Sequence, residues 1–206
     1  MDKKYQVFIS STYKDLQEER FAVSNTLLSM GFIPVGMEQF PASNMSQMDY
    51  IKTIMKDCDY YLLILAGKYG SVNEKGVGFT ESEYDYAISQ EIPVMSFLIK
   101  DVGKLVSEKC EDADIGRNNL KRFREKVSQS KMVSFYTSIG DLTTKVAASM
   151  CECVQKFPAR GWVRGDCTND ADNIARMKEC VKQIINDCNI EDLFSDQTII
   201  LDGGKA

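Results

Sequence analysis

Short apolar runs that alternate with helix-spaced apolar residues constrain the fold of this chain more than any other feature. The clearest run is Tyr60–Ala66 (YYLLILA), which is apolar at every position and predicts a strand covered on both faces. Further runs predict strands over Tyr5–Ser10, Phe32–Val35, Pro93–Ile99 and Met132–Tyr136. A helical pattern follows each strand, and this alternation predicts a flavodoxin-like three-layer α/β sandwich with a five-stranded parallel sheet, for which we choose the order 2-1-3-4-5.

The end of the chain predicts a separate segment. Pro158, Gly161 and Gly165 interrupt the pattern after the last helix, so we place the α/β domain at residues 1–165. Residues 166–206 carry one more helical pattern, around 174–185, and are expected to form a C-terminal helical extension or a linker.

Composition excludes several classes of site. The chain has no histidine, which removes the usual general base and the commonest metal ligand. Its net charge of −5 disfavours a nucleic-acid partner. Its seven cysteines include no C-x-x-C pair, which predicts reduced thiols, not a zinc site or a disulfide framework. With no signal peptide and no apolar run long enough for a membrane, we expect a cytoplasmic protein with no metal, cofactor or membrane partner.

The first candidate site is the crevice where the strand order reverses, because ligands of such sheets bind outside the carboxyl ends of the strands. Two loops would line it, after strands one and three. Their candidate ligand-binding residues are Ser10, Ser11, Thr12, Tyr13, Gly67, Tyr69, Gly70 and Ser71. The alternative is that these are ordinary turns, with Thr12 and Asp15 capping the first helix.

The second candidate is the acidic start of the helix after strand three, at Thr80, Glu81 and Glu83. Carboxylates beside a crevice can have shifted pKa values and can serve glycosidic-bond chemistry. The alternative is a capping box of Thr80 with Glu83, in which the acidic side chains only complement the helix dipole.

Three other segments have simpler interpretations. Phe40 and Pro41, in the loop after strand two, are expected to form a lid or a docking patch, or to pack against the sheet edge. Residues Val102–Gly116 predict an irregular surface excursion. The basic run Lys121–Arg124 predicts a solvated helix face.

Several motifs, in order, resemble a known family. They are F-I-S-S-T-Y-x-D-L-x-x-E-R, G-M-E-x-F-P-A-S, D-Y-Y-L-L-I-L-A-G-x-Y-G-S, T-E-x-E-Y-D-Y-A and P-A-R-G-W-V-R-G-D. Together they are similar to a Toll/interleukin-1-receptor-like (TIR-like) domain of unknown function, found at the N-terminus of bacterial multidomain proteins that carry NTPase or repeat regions. The resemblance covers Lys4 to about Asp166 and implies a TIR-like fold, with further domains following this chain.

The resemblance also implies an activity. TIR enzymes cleave the nicotinamide–ribose bond of NAD with a glutamate at the start of the helix after strand three. That position matches Glu83, with Glu81 as the second choice. NAD or a related nucleotide would then be the substrate, bound by the crevice residues together with Phe40, Thr80 and Glu81. The resemblance further implies homo-oligomerisation when active and a role in bacterial immunity or stress signalling.

Two alternatives stay open at this point. Many TIR domains act by self-association, which implies a non-catalytic signalling module. Nucleoside deoxyribosyltransferases share the layout and place a glutamate comparably, which implies a base-exchanging transferase.

Overall fold

The computed structural model describes residues 3–37, 46–130, 133–164 and 178–182. The chain divides into two compact units, one of Asp2–Trp162 and one that includes Val163–Ala206. In the second unit, residues 178–182 are helical, and the rest of the helix predicted at 174–185 lies outside the described residues. The boundary placed after residue 165 stays a prediction.

One parallel sheet organises the first unit. Its strands are β1 (Gln6–Ser10), β2 (Ile33–Val35), β3 (Tyr60–Leu65), β4 (Val94–Ile99) and β5 (Val133–Tyr136). They are hydrogen-bonded in the order β2-β1-β3-β4-β5, which confirms the predicted flavodoxin-like topology. All six residues of β3 are buried, as its continuous apolar run requires for a central strand.

Five helices cover the two faces of the sheet, which confirms the three-layer prediction. They are α1 (Gln17–Ser29), α2 (Gln47–Met55), α3 (Phe79–Ser89), α4 (Asp114–Ser130) and α5 (Ile139–Lys156). Buried apolar residues of α1 and α5 pack on one face, and those of α2, α3 and α4 pack on the other. Within the described residues, no helix has the length and apolar character needed to cross a membrane.

Two predicted helix caps are wrong. Helix α1 begins after Leu16 and α3 begins after Gly78, and neither start has a side-chain capping bond. Glu83 lies a full turn inside α3, where it turns inward to a strand and cannot cap the helix. Asp15 is buried before the helix starts.

The predicted surface excursion is more ordered than expected. It contains two short 3-10 turns, Val102–Lys104 and Ser107–Lys109, and α4 already begins at Asp114. The Glu111 amide donates a 2.9 Å hydrogen bond to the Gly67 carbonyl, which docks the excursion on the end of β3. A Cβ at Gly67 would lie 2.3 Å from the Lys109 carbonyl oxygen, so only glycine permits this approach.

Candidate functional site

The Glu83 side chain lies inside the protein, where α3 contacts the end of β1. The Ser10 hydroxyl donates a short hydrogen bond to Glu83 Oε2. Ser10 is the last residue of β1 and pairs with Leu63 of β3, beside the point where the strand order reverses. Glu83 is only 1% exposed, so it occupies the predicted switch point but lies beneath the surface.

The Glu83 carboxyl group is balanced between its two protonation states near neutral pH. Burial raises its pKa from 4.5 to about 7, against the opposing effects of the Ser10 hydrogen bond and the Arg20 charge. In the described part of the chain, Glu83 Oε1 has no hydrogen-bond partner. Burial and the nearby Glu83 carboxylate raise the pKa of the buried Tyr61 hydroxyl, against the opposing effect of a hydrogen bond with Ser10. Buried groups with unused bonding capacity and shifted pKa values are characteristic of functional sites.

Arg20 supports the same end of β1 from helix α1. Its Nη1 donates to the Ile9 carbonyl oxygen at 3.2 Å and to Ser11 Oγ at 2.9 Å, and its side chain is buried. The loop between β1 and α1 also buries Thr12 and Asp15. The Thr12 hydroxyl and both Asp15 carboxylate oxygens have no hydrogen-bond partner among the residues that the structure describes. This loop therefore brings several unused acceptors close to the switch point.

The two predicted crevice loops touch each other. Gly70 has a positive φ of 83°, and a Cβ built there would lie 2.8 Å from Thr12 Cγ2. Ser10, Ser11 and Thr12 are buried, whereas Tyr13 is 51% exposed and Gly70 and Ser71 are also exposed. The loops meet at Thr12 and Gly70, and because Glu83 is buried, a ligand reaches its carboxyl group only if the surrounding residues move.

Tyr69 and Glu81 belong to a charged network inside the crevice wall. The Tyr69 hydroxyl donates to Glu81 Oε2 at 2.5 Å, and Tyr69 is only 2% exposed. Arg122 and Lys126 of α4 bind the same carboxylate at 2.9 and 3.0 Å. Burial raises the pKa of Glu81, but hydrogen bonds from Tyr69, Lys126 and Arg122 outweigh it and hold the pKa below its usual value. The Tyr69 ring is therefore unavailable for stacking in this closed state, and Glu81 is ionised and fully engaged.

The basic run at 121–124 is only in part the solvated face that was predicted, because Lys121 and Arg122 are exposed but the rest of the run is not. Phe123 is completely buried. Arg124 donates hydrogen bonds to two carbonyl oxygens at the carboxyl edge of the sheet. One belongs to Ile99, the last residue of β4, at 2.7 Å, and the other to Ala66, just after β3, at 3.5 Å. Arg122, the other arginine of the run, donates a hydrogen bond to the Glu81 carboxylate, as described above. Arg124 therefore ties α4 to the carboxyl edge of the sheet.

The remaining predicted residues fall in different places. Thr80 is buried in the first turn of α3, and Gly67 lies under the excursion as described above. Phe40 and Pro41 lie outside the described residues. Among the residues that the structure describes, no group of three acidic or cysteine side chains is arranged to hold a metal ion.

Sequence reasoning missed two residues of the site, Arg20 and Tyr61. Arg20 carries a usable signal, because it falls on the apolar stripe of α1 formed by Leu16, Val23 and Leu27. A charged residue on such a stripe must find a buried partner. Tyr61 carries no such signal, since an aromatic residue is ordinary in a central strand.

The strand order and the buried carboxyl group together define a flavodoxin-like α/β domain with a glutamate at its switch point. The family model described as "Domain of unknown function (DUF4062)" matches residues 6–150, and the chain belongs to this family.

No curated protein sequence matches this chain. Among solved structures, it is similar to a flavoprotein from Thermotoga maritima, with 13% identity and a TM-score of 0.43, over 76% of this chain but only 36% of the flavoprotein. It is also similar to the TIR domains of the activated Roq1 resistosome, which directly recognises the pathogen effector XopQ, with 16% identity and a TM-score of 0.40, over 89% of this chain and 99% of that one. A short-chain flavodoxin associated with a non-canonical PDU bacterial microcompartment matches with 12% identity and a TM-score of 0.34, over 73% and 98%. Because these TM-scores are all below 0.5, the evidence for the fold is the strand order of the chain itself.

Proposed function

We propose that this domain hydrolyses the N-glycosidic bond between nicotinamide and ribose in NAD or a related nucleotide, with Glu83 as the catalytic carboxylate. The proposal rests on the buried Glu83 carboxyl group, which Ser10 holds through one oxygen while the other has no hydrogen-bond partner in the described part of the chain. The sequence motifs that resemble TIR-like domains support it, because Glu83 is the residue that matches their catalytic glutamate.

The chemistry suits an ionised carboxylate. Cleavage of the bond between the nicotinamide nitrogen and the ribose C1′ moves the bonding electrons to the pyridinium ring, so nicotinamide leaves neutral and needs no proton. The ribose then carries oxocarbenium-like charge, which the Glu83 carboxylate stabilises across a dry, low-dielectric site. Water adds to C1′ and releases its proton to the solvent, which completes the hydrolysis. No step needs a histidine, and the chain has none.

The second Glu83 oxygen gives the substrate a place to bind. Oε1 accepts a hydrogen bond from a ribose hydroxyl, while the Ser10 hydroxyl keeps Oε2 oriented. Tyr13 is the exposed tyrosine of the two loops and stacks on the flat nicotinamide ring. Binding requires the contact between Thr12 and Gly70 to open, so the closed crevice corresponds to a resting state of low activity.

Clustering of several copies is the proposed trigger that favours the open state. This part of the proposal follows from the TIR-like motifs, as does a role in bacterial defence or stress signalling in the cytoplasm, under the control of further domains.

The direct test is nicotinamide release from NAD by purified protein clustered on beads, measured by chromatography. Glu83→Gln should lower the rate at least about 100-fold, because the charge that stabilises the transition state is lost. Glu152→Gln, a surface glutamate at the end of α5, is the matched control and should retain the native rate. Release by the Glu83 variant at the native rate would refute the assignment.

A self-association module is the second candidate, favoured by one surface feature. Phe21 and Leu28 are 70% and 56% exposed and lie seven residues apart on α1, so both project from one helix face. A second copy of the domain would cover this apolar pair. Light scattering over a concentration series should show an oligomer that Phe21→Ser dissociates, and a monomer at every concentration would argue against this function.

A further inference from the structure

A groove of about 570 Å³ opens at the carboxyl edge of the sheet, apart from Glu83. Helix α4 forms one wall through Leu120 and its neighbours, and the excursion forms the other through Val102 and Cys110. Gly67, just beyond the end of β3, closes the inner end. The groove has the volume of a small-molecule site and lies at the edge where α/β sheets bind ligands.

Two of the charged side chains that line the groove, Arg117 and Glu111, already have partners. Arg117 pairs with Asp114 at 2.6 Å, and Glu111 Oε1 accepts the backbone amides of Tyr69 and Gly70 at 2.7 and 3.2 Å. These charges are therefore already engaged in holding the groove together.

Two cations on the same wall are different. Arg124 donates only to carbonyl oxygens, and neither Arg124 nor Lys121 has a carboxylate within ion-pair distance among the described residues. Burial lowers the pKa of Arg124. Glu125 is the remaining acidic side chain of the lining, and it is exposed to solvent.

We propose that this groove binds a small organic anion with an apolar body and one negatively charged group. The apolar body lies between Leu120 and Val102, and the anionic group lies at Arg124 and Lys121. The guanidinium group has five N–H donors, of which the two carbonyl bonds use only part, so Arg124 retains donors for a carboxylate, sulfonate or phosphate oxygen. This site is independent of the proposed role of Glu83.

The probe for this site is 8-anilinonaphthalene-1-sulfonate, whose fluorescence rises in an apolar environment. Its neutral counterpart, N-phenyl-1-naphthylamine, has the same rings without the sulfonate. The full chain should bind the sulfonate, and Lys121→Gln should weaken that binding about fivefold, as expected for the loss of one partly exposed ion pair. Binding of the neutral probe should not change. Lys156→Gln, at the far end of α5, is the matched control and should leave both affinities unchanged.

Alkylation of Cys110 shows where the probe binds, because this free thiol lines the groove. Saturating sulfonate should slow iodoacetamide labelling of Cys110 at least about fivefold, while labelling of the exposed Cys151 on α5 stays the same. Equal labelling of Cys110 with and without probe would overturn the proposal, as would an unchanged sulfonate affinity in Lys121→Gln. Arg124→Gln removes two backbone contacts and serves as a second variant only if it folds.

Discussion

Replacing Glu83 with glutamine should stabilise the protein at alkaline pH and leave its stability nearly unchanged at acidic pH. The pKa of Glu83 is about 7 in the folded protein instead of its ordinary 4.5. Because each pKa unit corresponds to about 1.4 kcal/mol, ionising Glu83 in the folded state costs about 3 kcal/mol more than ionising it in the unfolded chain. The stability of the native protein is fully present below the unfolded-state pKa of Glu83, 4.5, and this part of it is lost as the pH rises through the folded-state pKa of about 7. Glutamine stays neutral throughout, and its amide oxygen can still accept the Ser10 hydrogen bond.

Urea unfolding of both proteins over a pH series measures this difference and cancels all other titrating groups. Glu83→Gln should gain about 3 kcal/mol over the native protein at about pH 9 and almost nothing at about pH 4.5. Ser10→Ala should move the pKa of Glu83 still higher, because the Ser10 hydrogen bond lowers it. A stability difference that does not vary with pH would refute the argument that the Glu83 carboxyl group is buried with a raised pKa.

Two further substitutions test the surroundings of the site. Glu81→Gln should cost about 1–2 kcal/mol at neutral pH, since it removes the charge that Tyr69, Arg122 and Lys126 share. The pKa of Glu81 is lowered in the folded protein, so the stability that its charge contributes is lost as the pH falls through that pKa. Urea unfolding should therefore show the stability difference between the native protein and Glu81→Gln disappear at low pH, whereas the difference for Glu83→Gln appears at high pH. Gly67→Ala should cost about 1–3 kcal/mol and speed alkylation of Cys110, because the new Cβ would displace the excursion. Gly140→Ala, whose Cβ would meet nothing within 4 Å, should cost no stability, and an equal loss in both variants would contradict the steric explanation.

The fold was predictable because burial dictates the pattern of its strands. The run Tyr60–Ala66 is apolar on both sides and became the central strand β3, while the shorter run at Phe32–Val35 became the edge strand β2. The helix starts were harder to predict. Hydroxyl and acidic residues are common both in caps and in polar cores, and spacing alone does not distinguish Thr80 as a cap from Thr80 as a buried residue.

The candidate site was predictable in position but not in depth. Parallel topology brings the ends of β1 and β3 together, so Ser10 and Glu83 could be placed near each other from the sequence. Their burial depends on how the two loops meet, and the contact between Thr12 and Gly70 is a steric detail with no sequence pattern. Pairing of Arg122 with Glu81 likewise depends on how α4 packs beside α3.

The pH dependence of nicotinamide release by the clustered protein tests the central claim most directly. If ionised Glu83 is the catalytic carboxylate and the loops close again over the bound substrate, the rate of NAD cleavage should rise with pH and level off above a pKa of about 7. Ser10→Ala should shift that rise to higher pH, and Glu83→Gln should remove the activity at every pH. A rate that does not change across neutral pH, or that persists in Glu83→Gln, would contradict the account.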